Sequence, residues 1–484
     1  MNRLLIALLV TSVCQAQTKL PVLGSRLELF VDHYLIDQLE GTKLKLHAPR
    51  RVDVALRFDK PWEGPFAGYV TVIKDRDRYR MYYRGLPRAG LDCTAIESTC
   101  YAESLDGKTW TKPELGIFEI DGSRANNVVL KGYQPASHNF SPFLDTNPKA
   151  QASSRFKALG GSSKGLVPFG SADGIHWQPL HKAPVITDGV FDSQNVSFWS
   201  TTENCYVCYL RTWDSYRSIS RATSKDFLHW SKSTPMTYGG TPREHLYTNQ
   251  THPYFRAPHI YLGIAARFMP GRRILTPSQA KAIQVNPKYA GDCSDAVLLS
   301  TRGGSTYSRT FMEALIRPGP GLENWVSRTN YPALGVLPVD DQLAIFVQKN
   351  YGQPSAQLDR YSLRIDGFTS IHASYAGGQM VTKPFRLQSP KTLTKINSAK
   401  PRVNQLLINF ATSAAGSVRV EVQNTDGEAL PGFRLADCID IIGDEIARPV
   451  RWQTKDNLSE LRSKPIRLRF ALKDADLYSL HFRE

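Results

Sequence analysis

Three stretches of the chain carry one pattern: Ser104-Leu-Asp106-Gly107-Lys-Thr-Trp110, Ser171-Ala-Asp173-Gly174-Ile-His-Trp177 and Ser224-Lys-Asp226-Phe-Leu-His-Trp230. A weaker fourth copy begins at Ser300, with Arg302, Gly303 and Tyr307. Asp and Gly together build a tight turn between two strands, the Ser or Asp side chain bonds the turn's own backbone, and the Trp packs back between neighbouring sheets. Recurrence of such a unit along a chain is the mark of a repeat architecture. Each copy is therefore read as the corner of one blade.

Working outward, almost every segment after Arg26 alternates as short strands broken by Gly, Pro, Asn and Asp, and hardly any stretch keeps a helical period over ten residues. Four strands per unit predict blades near 60–115, 138–182, 190–236, 248–315 and 330–372. The expected fold is all-β, a five-bladed β-propeller followed by a C-terminal β-sandwich. The rhythm changes near Tyr375, where Leu406 to Phe410, Val418 to Val422 and Ile466 to Leu472 alternate on their own. The expected division is 1–16 signal peptide, 17–373 propeller with an N-terminal lead-in, and 374–484 sandwich. Gly443-Asp444 and Asp474-Ala-Asp476 offer oxygen donors, yet solvated turns explain them better than calcium does.

The first residues predict export. Arg3 gives a positive start, Leu4 to Val10 an apolar run too short to span a bilayer, and Cys14 and Ala16 the small residues of a cleavage site. Of the cysteines that remain, Cys93 and Cys100 flank one short segment and form the most plausible bridge. Cys205 and Cys208 are three apart on a strand, so they face opposite ways. The 484-residue chain has 60 Lys and Arg against 44 Asp and Glu, a net charge of +16. The charge is scattered and no nucleic-acid module occurs, so an acidic glycan, sulfated or uronic, is the expected partner; solubility alone is the alternative. No membrane span, metal site or cofactor is expected.

With Asp-Gly and Trp at repeated corners and a sandwich appended, the chain resembles the five-bladed glycosidases: the invertases, levansucrases and arabinanases of glycoside hydrolase families 32 and 43. Sialidases have a similar corner, Ser-x-Asp-x-Gly-x-Thr-Trp, but here Gly directly follows Asp. The resemblance implies a secreted glycoside hydrolase with paired carboxylates in the propeller funnel. It does not extend to active-site motifs: Trp-Met-Asn-Asp-Pro-Asn-Gly, Arg-Asp-Pro and Glu-Cys-Pro are absent. The alternatives are a non-catalytic carbohydrate-binding propeller, and a sialidase-like enzyme needing three arginines at the funnel.

Innermost strands end around a propeller's funnel, and glycoside cleavage needs two carboxyls flanking the scissile bond. The acids nearest expected inner strands are Glu63, Asp145, Asp192 and Glu244, of which Glu63, Asp192 and Glu244 are expected to converge. His138, Asn139, Asn195, His245 and Asn249 are candidates for sugar hydroxyls. Arg211, Arg267 and Arg328 are candidates for a carboxylate or sulfate. Serine and zinc hydrolysis find no Gly-x-Ser-x-Gly or His-Glu-x-x-His.

Overall fold

The computed structural model describes residues 20–387, 405–462 and 464–483; the expected signal segment 1–16 lies outside them. The described chain is built from strands, with one six-residue helix, Pro277–Ala282, opened by a capping box between Thr276 and Gln279. Among the described residues no helix is long and apolar enough to cross a membrane.

Antiparallel meanders follow one another as the alternation predicts. The first comprises Gly68–Asp75, Arg78–Gly85, Ser98–Ser104 and Val128–Leu130. The second comprises Ser141–Leu144, Phe156–Gly160, Val167–Ser171 and Gln178–Pro179. Val196–Ser200, Cys205–Trp213, Arg217–Ser224 and Thr234–Pro235 form the third. A three-stranded group follows, His252–Tyr254, Ala257–Met269 and Cys293–Thr301. The last runs through Tyr331–Val339, Gln342–Lys349 and Gln357–Arg364. Its outer strand comes from upstream of the first group: Arg50–Arg57 pairs antiparallel with Gln357–Arg364, and Arg51 and Arg360 form ion pairs with Asp359 and Asp53.

The first strands of these groups stand side by side in chain order, and a parallel bridge from Leu334 to Thr71 returns the last to the first. The result is a propeller. Its axis is plugged by two buried amides: Gln194 Nε2 donates to Val70 O at 3.2 Å and Thr71 Oγ1 at 2.7 Å, and Gln250 Nε2 donates to Gln194 Oε1 and Pro332 O, each at 2.7 Å. Four groups are thereby tied across the centre.

The repeated corners do what their residues dictate. Ser104, Ser171 and Ser224 each accept from the backbone N–H three residues on, through Oγ at 2.8, 2.9 and 2.9 Å. Phe227 occupies the third copy's glycine position at φ 71°, a left-handed conformation that Gly107 and Gly174 adopt more cheaply. The aromatic residue then staples its group to the preceding one: Trp110 meets Phe346 at 5.7 Å, Trp177 meets Tyr82 at 6.0 Å, and Tyr307 meets Tyr209 at 5.6 Å. Each partner lies on the second strand of its group.

The C-terminal sheet is dominated by two long strands, Gln405–Gln423 and Pro465–Arg483, which pair along most of their length with register shifts at Asn409/Phe410 and Thr412/Ser417. Thr369–Ala373, Gly378–Thr382, Phe385–Arg386 and Asp444–Pro449 join them. So does the lead-in: Glu28–Leu29, Ile36–Glu40 and Thr42–Leu46 pair with Pro465–Arg483, Gly378–Thr382 and Thr369–Ala373. Thus residues 28–46 and 369–373, grouped with the propeller on sequence continuity, pair instead with strands remote in sequence. A core including Leu406, Ile408, Val420, Leu468 and Phe470 fills this domain. Buried Asp366 joins the two domains, accepting from Tyr254 Oη at 2.7 Å and Arg256 Nη1 at 2.9 Å on one side and Ser479 Oγ at 2.8 Å on the other.

The expected Cys93–Cys100 bridge is corrected by the structure: both thiols are free. Cys100 is buried on a strand against Ser98, while Cys93 turns to Ser162. Cys205 and Cys208 are also free and buried. Asp444 pairs with Arg364, and Asp476 accepts from Ser370 Oγ at 2.6 Å.

Candidate functional site

The residues just ahead of the innermost strands gather at one end of the axis, above the Gln194–Gln250 plug. Tyr69, Gln250, Arg328 and Asn330 take positive φ values of 49°, 49°, 59° and 68° at these strand starts. Such conformations cost about 1–3 kcal/mol each, persist only when neighbours enforce them, and cluster at functional sites.

His138 is the centre of this mouth. It ends a single 3-10 turn, Ala136–His138, and is 1% exposed. Its Nδ1 lies 2.8 Å from Glu97 Oε1, and its Nε2 lies 3.0 Å from Asp192 Oδ1. Glu97 is wholly buried and also accepts from Cys93 N at 2.8 Å, whereas the Asp192 side chain is 51% exposed. The imidazole thus links a buried carboxylate to one facing solvent. Arg84 Nη1 sits 3.3 Å from Nδ1 and 3.5 Å from Nε2, with Asp92 Oδ1 3.8 Å away on its other side. The Arg84 guanidinium also lies over Tyr69 and donates to Phe66 O and Tyr351 Oη.

Burial works against a charge on His138, but its bonds to Asp192, Cys93 and Glu97 outweigh it and hold the imidazole protonated well above its ordinary range. Burial likewise opposes the Asp192 anion. His138 and Arg211 reverse that, leaving the carboxyl well below the usual carboxylate range. Asp192 is consequently a fixed anion. Its second oxygen is 3.7 Å from Arg211 Nη2 and 3.5 Å from Tyr247 Oη.

Tyr247 is ringed by cations: the guanidinium carbons of Arg211, Arg217 and Arg328 lie 5.0, 5.2 and 5.6 Å from its ring centre. Tyr331 adds an aromatic wall 5.3 Å away. Among the described residues, Arg217 and Arg328 have no carboxylate within 4.0 Å, and their contacts are aromatic faces including Phe268, Tyr289 and Tyr351. Desolvation opposes the Arg328 charge, but the surrounding tyrosines sustain it.

Of the sequence candidates, the mouth brings together His138, Asp192, Arg211 and Arg328. Asn139 and Asn195 lie beneath it as braces, each donating to Phe191 O and Ser193 O. Asn249 accepts from Thr251 N and donates to Tyr209 O. Glu63 does not converge with Asp192: it is fully buried against Tyr83 Oη at 2.5 Å and Lys112 Nζ at 2.7 Å. Asp145 follows the C-terminal end of its inner strand and is held by Lys157 and by Tyr206 Oη at 2.7 Å. Glu244 is clamped by Arg267 at 2.9 Å and Arg309 at 3.0 Å, Arg267 also gripping Asp295. Glu244, His245 and Arg267 line a separate cavity beside the mouth. Sequence reasoning missed Arg84, Asp92, Glu97, Arg217 and Tyr247; the signal available for Tyr247 was its place two residues ahead of Asn249, just before an inner strand.

One cluster has metal-ligand chemistry, Cys93, Glu97 and His138, whose donor atoms lie within 4.8 Å of one another. Both His138 nitrogens already bond carboxylates, so neither is left free to ligate a metal ion.

No protein-family model matches the chain, and no curated protein matches it significantly. Among solved structures it is similar to a family 43 arabinoxylan arabinofuranohydrolase from Bacillus subtilis in complex with cellotetraose, at 10% identity and TM-score 0.39, covering 88% of this chain and 96% of that one. It is similar to an exo-β-1,3-galactanase from Phanerochaete chrysosporium with β-1,3-galactotriose, at 11% identity and TM-score 0.39, covering 91% and 99%. A fructofuranosidase from Schwanniomyces occidentalis complexed with fructosylnystose matches at 11% identity and TM-score 0.35, covering 90% and 99%. Likenesses of this strength assign no residue its role.

Proposed function

We propose that this chain is an exported glycoside hydrolase that takes an acidic sugar into the funnel mouth. The observation that carries this reading is the pair of cations with no direct ion pair among the described residues, Arg217 and Arg328, lying on Tyr247 near the half-exposed anion of Asp192. Guanidinium groups on aromatic faces are well suited to grip a sugar carboxylate, and a neutral sugar would leave them unused.

Asp192, kept ionised by His138 and Arg211, is the base or nucleophile and stabilises positive charge developing at the anomeric carbon. Asp92, 33% exposed and touched only at long range by Arg84, is the second carboxyl. Contacts of 3.8, 3.5 and 3.0 Å in series through Arg84 and His138 link Asp92 to Asp192, so their oxygens lie no more than about 10 Å apart, an upper bound close to the widest spacing that paired glycosidase carboxyls use. Glu97 and His138 are positioning residues that act through Asp192. A sialidase-like reading is favoured by the three arginines around Tyr247, since sialidases use a tyrosine nucleophile.

The test is a hydrolysis screen on uronate, sialic-acid, sulfated and neutral glycosides. An acidic substrate is expected, with Asp192→Asn lowering kcat by roughly three orders of magnitude or more at an unchanged melting temperature. Arg328→Ala is expected to raise KM on the acidic substrate alone. Full turnover by Asp192→Asn refutes the assignment, and tight binding of acidic glycans with no turnover on any of them leaves the binding-propeller reading.

A further inference from the structure

Beside the mouth, on the same end of the propeller, lies a cavity of about 880 Å³. Its walls come from the segments ahead of two inner strands, through His245 and Trp325, and from strand ends at Phe268 and Asp295. The mouth and this cavity share a wall. Arg217 lies 5.2 Å from the Tyr247 ring on the mouth side, and its other contacts, 4.4 Å to Phe268 and 5.7 Å to Trp213, lead to the cavity. Trp213 is 55% exposed, with His245 at 6.1 Å, and Tyr216 stands 4.9 Å from His245. Its position beside Arg217 and His245 lets the exposed indole stack on a ligand that spans the two concave sites.

The charges of the cavity separate into two sets. Arg267 and Arg309 together neutralise Glu244 and Asp295 in a tight network, and Arg243 is spent on Asp214. Arg272 and Arg317 are exposed and, among the described residues, have no carboxylate within 4.0 Å; the exposed Glu313 on the same wall is likewise unpaired, so the open part of the lining keeps a single net positive charge. Aromatic platforms with free guanidinium groups are the chemistry that recognises a pyranose ring bearing an acid.

We infer that the cavity is a second subsite, which binds further units of an acidic oligosaccharide whose terminal or central unit occupies the mouth, the chain crossing over Trp213. This rests on the acidic-sugar reading of the mouth and adds that the substrate is oligomeric. Affinity then grows with chain length, because the cavity adds contacts that a single unit cannot reach.

Calorimetric titration of the full chain carrying Asp192→Asn with oligogalacturonates from monomer to hexamer tests it, with neutral xylo-oligosaccharides as control. Binding is expected to strengthen about tenfold or more as the ligand becomes long enough to reach the cavity. Trp213→Ala and the double variant Arg272→Ala/Arg317→Ala should abolish that gain while leaving the shortest bound ligand unaffected. Arg328→Ala should weaken short and long ligands alike. A length dependence that survives in both cavity variants, or its absence while Arg328→Ala still weakens short ligands, overturns the second subsite and leaves the mouth standing. No binding of any acidic oligomer overturns both.

Discussion

Replacing Glu97 by glutamine changes one charge at the most enclosed point of the site while keeping its shape. Glu97 is fully buried, 2.8 Å from His138 Nδ1 and 2.8 Å from Cys93 N, with Arg84 4.0 Å away. The amide keeps one acceptor oxygen and sets its NH2 against the other donor, so the loss is the ionic part of a buried pair together with one of the two hydrogen bonds. A hydrogen bond between charged groups contributes about 1.5–3 kcal/mol against about 1 for a neutral one, and uncompensating a buried ion costs about 3–5 kcal/mol. A net cost of about 3 kcal/mol follows, equal to roughly two pKa units at His138. At the usual entropy per residue, this is a fall in Tm of about 3–5 °C. The sign with pH is fixed by His138, whose folded pKa is raised. Its stabilisation is fully present below the unfolded value of about 6.5 and is lost as pH rises through the folded value. With the partner removed, that contribution vanishes at low pH first. The difference in Tm between wild type and Glu97→Gln should therefore be widest near pH 6 and close toward alkaline pH, as read by calorimetry across a pH series, with imidazole ¹⁵N shifts reporting His138 directly. A difference that does not vary with pH, or an unaltered His138 titration, refutes the relay.

Trp177→Ala removes a buried ring packed at 4.9 Å on Phe140 and 6.0 Å on Tyr82 and should cost about 3–5 kcal/mol. Trp110→Ala, at a half-buried copy whose indole N–H has no partner, should cost less in the same denaturation assay. Lys349 is pushed down to about 8 by burial, so the unfolded chain takes up its proton at higher pH than the fold does. Stability should rise with pH from about 8 to about 10 on its account, and Lys349→Met should lose that rise. Because every cysteine described is a free thiol, reductant should leave Tm unchanged, and alkylation of the unfolded chain without reductant should label all of them. Affinity for a polyuronate should fall steeply between low and physiological salt if the exposed arginines make the contacts.

Local chemistry was legible in the sequence and long-range pairing was not. Ser104, Ser171 and Ser224 announced their turns because a turn is decided within four residues, and Tyr307 stands where the other copies place Trp. Nothing local marks Arg50–Arg57 as the partner of a strand some 300 residues away, or Glu28–Leu29 as a partner of Leu480 and Ser479. The site divides in the same way. The rule that residues preceding inner strands face the axis leads to His138, Asp192 and Arg328. It gives no means of telling which way a side chain turns: Glu63 points into its own group at Tyr83, and Asp145 sits past the far end of its strand. Glu97 and Arg84 escape it altogether, lying at and near the ends of second and third strands and reaching the mouth by length alone.

The borrowed outer strand imposes an order of events on synthesis. Arg50–Arg57 leaves the ribosome early, yet the residue that meets Arg57, Gln357, is 300 positions behind it. At about 5–20 residues per second the early strand waits roughly 15–60 s for a partner. Until then its backbone donors and acceptors form an open edge to which any other nascent strand can add. Arg50, Arg51 and the acid Asp53 punctuate that edge with charge, which guards it during the wait, and Arg51 and Asp53 later form the ion pairs that lock the ring.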